Sequence, residues 1–368
     1  MTLQRGYDHT ILVLAVALTC FGLVMVYSSS SVMAGEKYLD GFHFLKRQGL
    51  FSLAGFALLA GFMRLDYHRW RKLAVVGLLG SALALILVLV PGIGAQINGA
   101  SRWIQLPGFN FQPAEAVKLA MVIYVAHSLA KKQDKVKTFK LGILPYMIVL
   151  SLLLGLLLLQ PDLGSAMTLA IVAGLMLLAA GTRISHLLYI VLLSLPFLYY
   201  AVWHVAYRRR RIMAFLDPWQ DPTDSGFQII QSLIAFGTGG LFGNGLGEGK
   251  QKLFYLPEAH TDFIFSVVGE ELGFAGVLVI TAMFLMLVLR GFRTALQAPD
   301  DFGRHLAFGI TAMLGLEAFI NIAVVMGMLP TKGLALPFIS YGGTSLLVTM
   351  AAVGILLNIS SQTKEGTP

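Results

Sequence analysis

The feature that most constrains this chain is the length of its uninterrupted apolar runs. Ile11 to Tyr27, Leu73 to Val90 and Leu141 to Leu159 contain no charged residue, and Phe263 to Leu289 contains only Glu270 and Glu271. Each run approaches or exceeds the ~20 residues that carry a helix across a bilayer core. Over all 368 residues, 57% are hydrophobic and 12% charged, with mean hydropathy +0.75. A soluble domain of this size could not cover so much apolar side chain. Barrel strands are short and alternating, so a β-barrel is disfavoured. The pattern predicts an all-α, polytopic membrane protein.

Ten membrane helices are expected, over 9–28, 46–63, 72–90, 113–130, 141–159, 163–181, 185–204, 263–289, 304–329 and 338–360. A single domain, 1–368, accommodates them, with one large extracytoplasmic loop at 205–262 between helices seven and eight. The N-terminal apolar run is too long for a signal peptide and reads as an uncleaved first helix. Even-numbered connections hold most of the Lys and Arg, among them Arg64, Arg69, Arg71, Lys131, Lys132, Lys135, Lys137, Lys140, Arg183, Arg290 and Arg293. The positive-inside rule therefore places both termini in the cytoplasm. The cluster Arg208 to Arg211, in the loop on the other side, is the one contradiction; near the membrane it could hold anionic head groups. The net charge of +8 is explained by topology and calls for no nucleic acid. Cys20 is the lone cysteine, so no internal disulfide is available.

Asp262 is the leading catalytic candidate, because it stands where a membrane helix begins and a carboxylate there costs several kcal/mol without partners or water. The competing reading makes it a helix N-cap. Glu115 and Lys118 lie three apart on one helix face, either as a packing pair or with Lys118 facing an anionic head group. Asp162, in the short hairpin Gln160-Pro161-Asp162, either caps the next helix or lines a site. Arg102 beside Trp103 is an interfacial anchor or a phosphate ligand. His260 reads first as a side chain bonded to backbone at the helix mouth. Ser340, Tyr341 and Thr344 can satisfy exposed backbone in PFISYGGTSLL, and Lys332 lies in the preceding PTKG. Glu270, Glu271, Glu317 and Asn321 read as interhelical hydrogen-bonding groups, with proton relay as the alternative. The glycine-rich stretch Gly237 to Gly249 lacks the Gly-Lys-Ser/Thr ending of a phosphate loop, and its glycines suit tight turns. No metal-ligand cluster is visible.

GASRWI, FQPAEAVKLA, QPDLGSA, LPEAHTDFIFSVVGEELG and LPTKGLALPFISYGGTSLL follow one another over most of the chain. In these segments the chain resembles the SEDS family (shape, elongation, division and sporulation). LPEAHTDFIF and PTKG are more similar to its division members than to its elongation members. The resemblance implies a ten-helix peptidoglycan glycosyltransferase of the bacterial inner membrane, acting at the division septum. It would polymerise lipid II, releasing undecaprenyl pyrophosphate, beside a class B penicillin-binding protein and other divisome membrane proteins. It also implies that Asp262 is the family's essential acid. Joining an α-linked donor into a β-1,4 glycan takes one inverting displacement, for which Asp262 would serve as general base. Its pyrophosphate leaving group wants positive charge rather than a second acid. The cations available are Arg102, Lys118, Arg208 to Arg211 and Lys332, with Arg102 and Lys118 preferred. The expected substrate-binding residues are thus Arg102, Glu115, Lys118, Asp162, His260, Lys332 and Ser340. No cofactor is expected, though a divalent ion held by pyrophosphate would leave no trace in sequence. A lipid II flippase, an elongation-type polymerase and a scaffold for the transpeptidase are the competing functions.

Overall fold

The computed structural model describes residues 6–97, 100–107, 109–132, 135–253 and 256–363. Three helices come first: α1 (His9–Tyr38), α2 (His43–Arg64) and α3 (His68–Val88). An antiparallel sheet follows, β1 (Gly94–Ile97), β2 (Ala100–Leu106) and β3 (Phe109–Phe111), in that spatial order. Next come α4 (Pro113–Lys131), α5 (Leu144–Leu159, entered through a π-helical turn at Phe139–Ile143), α6 (Leu163–Ala179) and α7 (Ile184–Trp203). Two shorter helices, α8 (Ala206–Leu216) and α9 (Phe227–Gly239), precede α10 (Ile264–Gln297), α11 (Asp301–Val325) and α12 (Gly343–Ser361).

A helix occupies each span expected from hydropathy. Seven of them, α1, α3, α5 with its lead-in, α7, α10, α11 and α12, are long and apolar enough to cross a membrane. The chain is a multi-pass membrane protein. α6 is apolar but only 17 residues long, while α2 and α4 carry Lys46, Arg47 and Arg64, and Glu115, Lys118 and Lys131. The chain ends 1–5 and 364–368, whose side was inferred from charge, lie outside the described residues.

Helix starts follow local chemistry. Asp8 Oδ1 accepts from the Thr10 (2.9 Å) and Ile11 (3.3 Å) amides at α1, and Asp300 Oδ1 from the Gly303 amide (2.6 Å) at α11. Pro113 opens α4, where its missing N–H costs nothing. α11 and α12 are buried on nearly all sides and form the centre, with α12 along α2 and α11 between α10 and α4. No residue of α7 is buried. Its apolar side chains face outward, as hydrocarbon surroundings permit.

Regular structure in two connections was not anticipated. The connection before α4 is a sheet; the alternating residues around the Asn98-Gly99 pair are the sequence signal that could have revealed it. The long polar connection 205–262 contains α8 and α9, and α9 packs its apolar face on α10.

The glycine-rich stretch has a structural task. α10 is interrupted at Gly273 (φ 63°, ψ −163°). The carbonyls of Glu270 and Glu271 accept from the amides of Asn244 (3.0 Å) and Gly245 (3.1 Å). Beyond the break, the amides of Phe274 and Ala275 donate to the carbonyls of Gly240 (2.9 Å) and Leu241 (3.0 Å). The stretch therefore substitutes for the missing helical hydrogen bonds. The side chains lock it further. Glu270 accepts from the Lys250 amide (2.8 Å), and Glu271 binds Lys252 Nζ (2.8 Å) and Ser28 Oγ (2.7 Å).

Only glycine adopts the Gly273 conformation without strain of about 1–3 kcal/mol, and a Cβ there would stand 2.3 Å from the Gly243 nitrogen. Gly273→Ala should lower the thermal unfolding midpoint of the solubilised protein. Gly155→Ala, in α5 with nothing within 4 Å of its added Cβ, should leave the midpoint unchanged or raise it.

Candidate active site

Asp262 sits in the irregular segment that leads into α10. The N-cap position belongs to Phe263, and no side-chain capping bond is made there. Asp262 is therefore not the cap its position suggested. Among the described residues nothing donates a hydrogen bond to its carboxylate, while its backbone carbonyl accepts from Asn321 Nδ2 (2.9 Å). Its Oδ2 faces Gly333, where an added Cβ would come within 3.1 Å. Surrounding protein excludes water from this half-buried carboxyl and raises its pKa to about 7, and Glu258 pushes it the same way. Arg211 and Arg102 oppose that rise, and Asp162 adds to it.

These neighbours come from distant parts of the chain. Arg102, on β2, donates through Nε to the Gln160 carbonyl (3.2 Å) and through Nη2 to that of Pro161. Arg211, on α8, donates to the Thr331 carbonyl (3.0 Å) and lies 4.5 Å from the centre of the Tyr207 ring. Helical periodicity sorts the arginine cluster. Arg208 and Arg211 turn inward, while Arg209 and Arg210 are exposed. Lys332 follows Thr331; its ammonium meets Met167 Sδ at 3.0 Å, and burial lowers its pKa.

The irregular segments are held by polar side chains. Ser340 Oγ accepts from the Leu336 amide (2.8 Å) and donates to the Thr261 carbonyl (2.6 Å). Gln48 donates to the Ser340 carbonyl (3.2 Å), and Thr344 Oγ1 joins the start of α12 to Asn110 and Gln112 (both 3.1 Å). Two non-glycine residues with positive φ, Glu258 (56°) and Phe338 (66°), lie in these segments.

The expected residues divide. Arg102 and Asp162 reach the Asp262 neighbourhood, whereas Lys332 adjoins it only through the neighbouring Gly333. Asp162 also caps α6, accepting from the Ser165 amide (3.0 Å) and hydroxyl (2.8 Å). Lys118 departs from its expected role: its ammonium is buried between α4 and α11, paired with Glu115 (2.9 Å) and Glu317. Two carboxylates already neutralise it, so Glu115 and Lys118 form a packing group, and Arg211 is the cation that acts on Asp262 together with Arg102. Ser340 takes the backbone-satisfying role that its segment suggested. The His260 ring, expected to bond backbone, instead packs against the rings of Phe44 (4.7 Å) and Tyr341 (5.8 Å), which also touch each other (5.1 Å), and burial lowers its pKa. Among the described residues, only its carbonyl is bonded, by the Tyr341 amide (3.0 Å). Among the described residues, no group of three His, Cys, Asp or Glu side chains is arranged to hold a metal ion.

The model of the FtsW/RodA/SpoVE family, described as cell cycle protein, matches residues 8–365. The chain belongs to this family. It is 64% identical over 362 residues to the probable peptidoglycan glycosyltransferase FtsW of Geobacter sulfurreducens (strain ATCC 51573 / DSM 12127 / PCA), covering 98% of this chain and 97% of that one. Stage V sporulation protein E of Bacillus subtilis (strain 168) is 44% identical over 359 residues, 98% of each chain. Among solved structures, a chain of a peptidoglycan synthase complex that coordinates polymerization and crosslinking superposes with TM-score 0.78 at 32% identity, covering 96% of this chain and 97% of that one. Thermus thermophilus RodA superposes with TM-score 0.72 at 29% identity, 98% of each chain.

The electrostatics of Asp262 can be tested directly. Glu258→Gln should lower its pKa from about 7, whereas Arg211→Gln should raise it. Infrared titration of the carboxyl stretch, with Asp262→Asn as the subtraction reference, should show shifts of opposite sign.

Proposed function

We propose that this chain is a peptidoglycan glycosyltransferase that polymerises lipid II, with Asp262 as general base. The observation that carries the reading is the state of that carboxyl. It is half-buried, makes no capping bond, has a pKa near neutrality, and stands within the influence of Arg102 and Arg211. A base with pKa near the working pH combines adequate basicity with a useful deprotonated fraction. Family membership and the close FtsW relatives support the reaction class.

In the proposed step the acceptor sugar's 4-hydroxyl oxygen attacks the donor's anomeric carbon. A carbon–oxygen bond forms as the carbon–oxygen bond to pyrophosphate breaks on the opposite face, which inverts the centre. The hydroxyl proton passes to Asp262. The negative charge left on the lipid pyrophosphate is met by Arg102, Arg211 and Lys332, which takes the place of a second acid. A divalent ion held largely by pyrophosphate is compatible with this scheme and would need few protein ligands.

The likeness to a chain of a solved synthase complex supports a class B penicillin-binding protein as partner. Relatives bearing the FtsW name support septal work rather than elongation. Concentration of Lys and Arg on the connections opposite Asp262 supports a cytoplasmic location for both termini.

Asp262→Ala, co-purified with the transpeptidase, should polymerise purified lipid II about 10²–10⁴-fold more slowly than the unaltered protein. For the unaltered protein the rate should rise with pH, with its midpoint near the Asp262 pKa of about 7, because only the deprotonated carboxylate accepts the proton. Full activity in Asp262→Ala would move the base elsewhere.

A further inference from the structure

We propose that Asn321 is a positioning residue for the reaction, holding the Asp262 segment and the Gly333 segment in one fixed arrangement from beneath. Asn321 lies on α11 and is 2% exposed. Its amide nitrogen donates to the carbonyl of Asp262 (2.9 Å) and to that of Leu334 (2.6 Å). Both partners are carbonyl oxygens, so the side-chain orientation is decided by chemistry: only the NH₂ end can face them. Each of its two protons thus answers one of the two irregular segments that meet at Asp262 Oδ2.

The remaining oxygen of Asn321 is buried and meets no donor among the described residues. Leaving a buried amide oxygen unanswered is costly, and an apolar residue at this helix position would avoid the cost. The amide therefore suits its position through the two carbonyls that it clamps. One turn earlier on the same helix, Glu317 is fixed by the buried Lys118. This salt bridge anchors that face of α11 against α4, so the clamp projects from a rigid support. The segments above contain the positive-φ residues Glu258 and Phe338 and require outside ties to keep one geometry. Displacement of a catalytic group by about 1 Å costs on the order of 10²-fold in rate.

The proposal rests on Asp262 as base, so Asp262→Ala is assayed in parallel with Asn321→Ala, Asn321→Ser and Asn321→Asp. Each is purified with the transpeptidase, checked for folding by its thermal midpoint, and assayed with purified lipid II across pH. Asn321→Ala should lower kcat about 10–100-fold with KM unchanged. Asn321→Asp keeps the shape but leaves at most one donor, the O–H of a protonated carboxyl, for the two carbonyls, and should also fall. Asn321→Ser, which keeps one donor, should fall less. The acid limb of the Asn321→Ala profile should move to lower pH, because a loosened segment admits water to Asp262. Glu258 on its own segment, Arg211 from α8, Arg102 from β2 and Asp162 at α6 are unaltered and would not produce that shift. Inactive Asp262→Ala beside fully active Asn321→Ala or Asn321→Asp would overturn the clamp and leave the base reading intact. A rise in KM alone, or loss of folding in all three Asn321 variants, would also overturn it. Active Asp262→Ala would remove the base reading itself.

Discussion

Wherever this chain leaves the helix, its backbone groups must find partners within the protein, and the arrangement of the site depends on that requirement. An unanswered amide or carbonyl away from water costs about as much as a lost hydrogen bond. At Gly273 the glycine-rich stretch answers the interrupted helix with four main-chain bonds. Around Asp262 the task falls to Asn321, Ser340, Gln48 and Thr344. Glycines and small polar residues concentrate in these places because backbone has to approach backbone closely, and short side chains then supply the missing donors and acceptors.

Charge obeys the same economy. Lys118 and Lys252 are buried, and each is matched by carboxylate. Removing one partner of such a group would leave a bare buried charge, at a cost of several kcal/mol. These pairs anchor α4 to α11, and the Gly-rich connection to α10 and α1. The cations near Asp262 are satisfied differently. Arg102 and Arg211 are held by backbone carbonyls, which orient guanidinium groups without cancelling their charge. That difference separates cations that build the bundle from cations that can meet an anionic leaving group.

The Asp262 environment combines opposing influences. Exclusion of water and the neighbouring Glu258 raise its pKa, while two arginines restrain the rise. The result lies near neutrality, where a carboxylate is a stronger base than usual and is still partly ionised. The same arginines can serve both proton acceptance and departure of the pyrophosphate, which couples the two halves of the proposed displacement.

Sequence alone determined the membrane class, the places of the long apolar helices and the candidacy of Asp262. Long apolar runs and an isolated acid at a helix mouth are local features, and their free-energy consequences hold in almost any packing. It was silent on the partners of Lys118, which pairs with Glu317 far along the chain, and on the sorting of Arg211 from Arg209 and Arg210. The sheet at 94–111 and the helices α8 and α9 escaped because their signals are short and lie in polar stretches where hydropathy is uninformative. Whether Asp262 capped the next helix was equally undecided. Tertiary structure decided these points, because each turns on which groups from remote segments meet: a carboxylate at Lys118, a carbonyl at Arg211, the amide of Asn321 beneath Asp262. Such encounters are set by helix packing, and no local spacing encodes them.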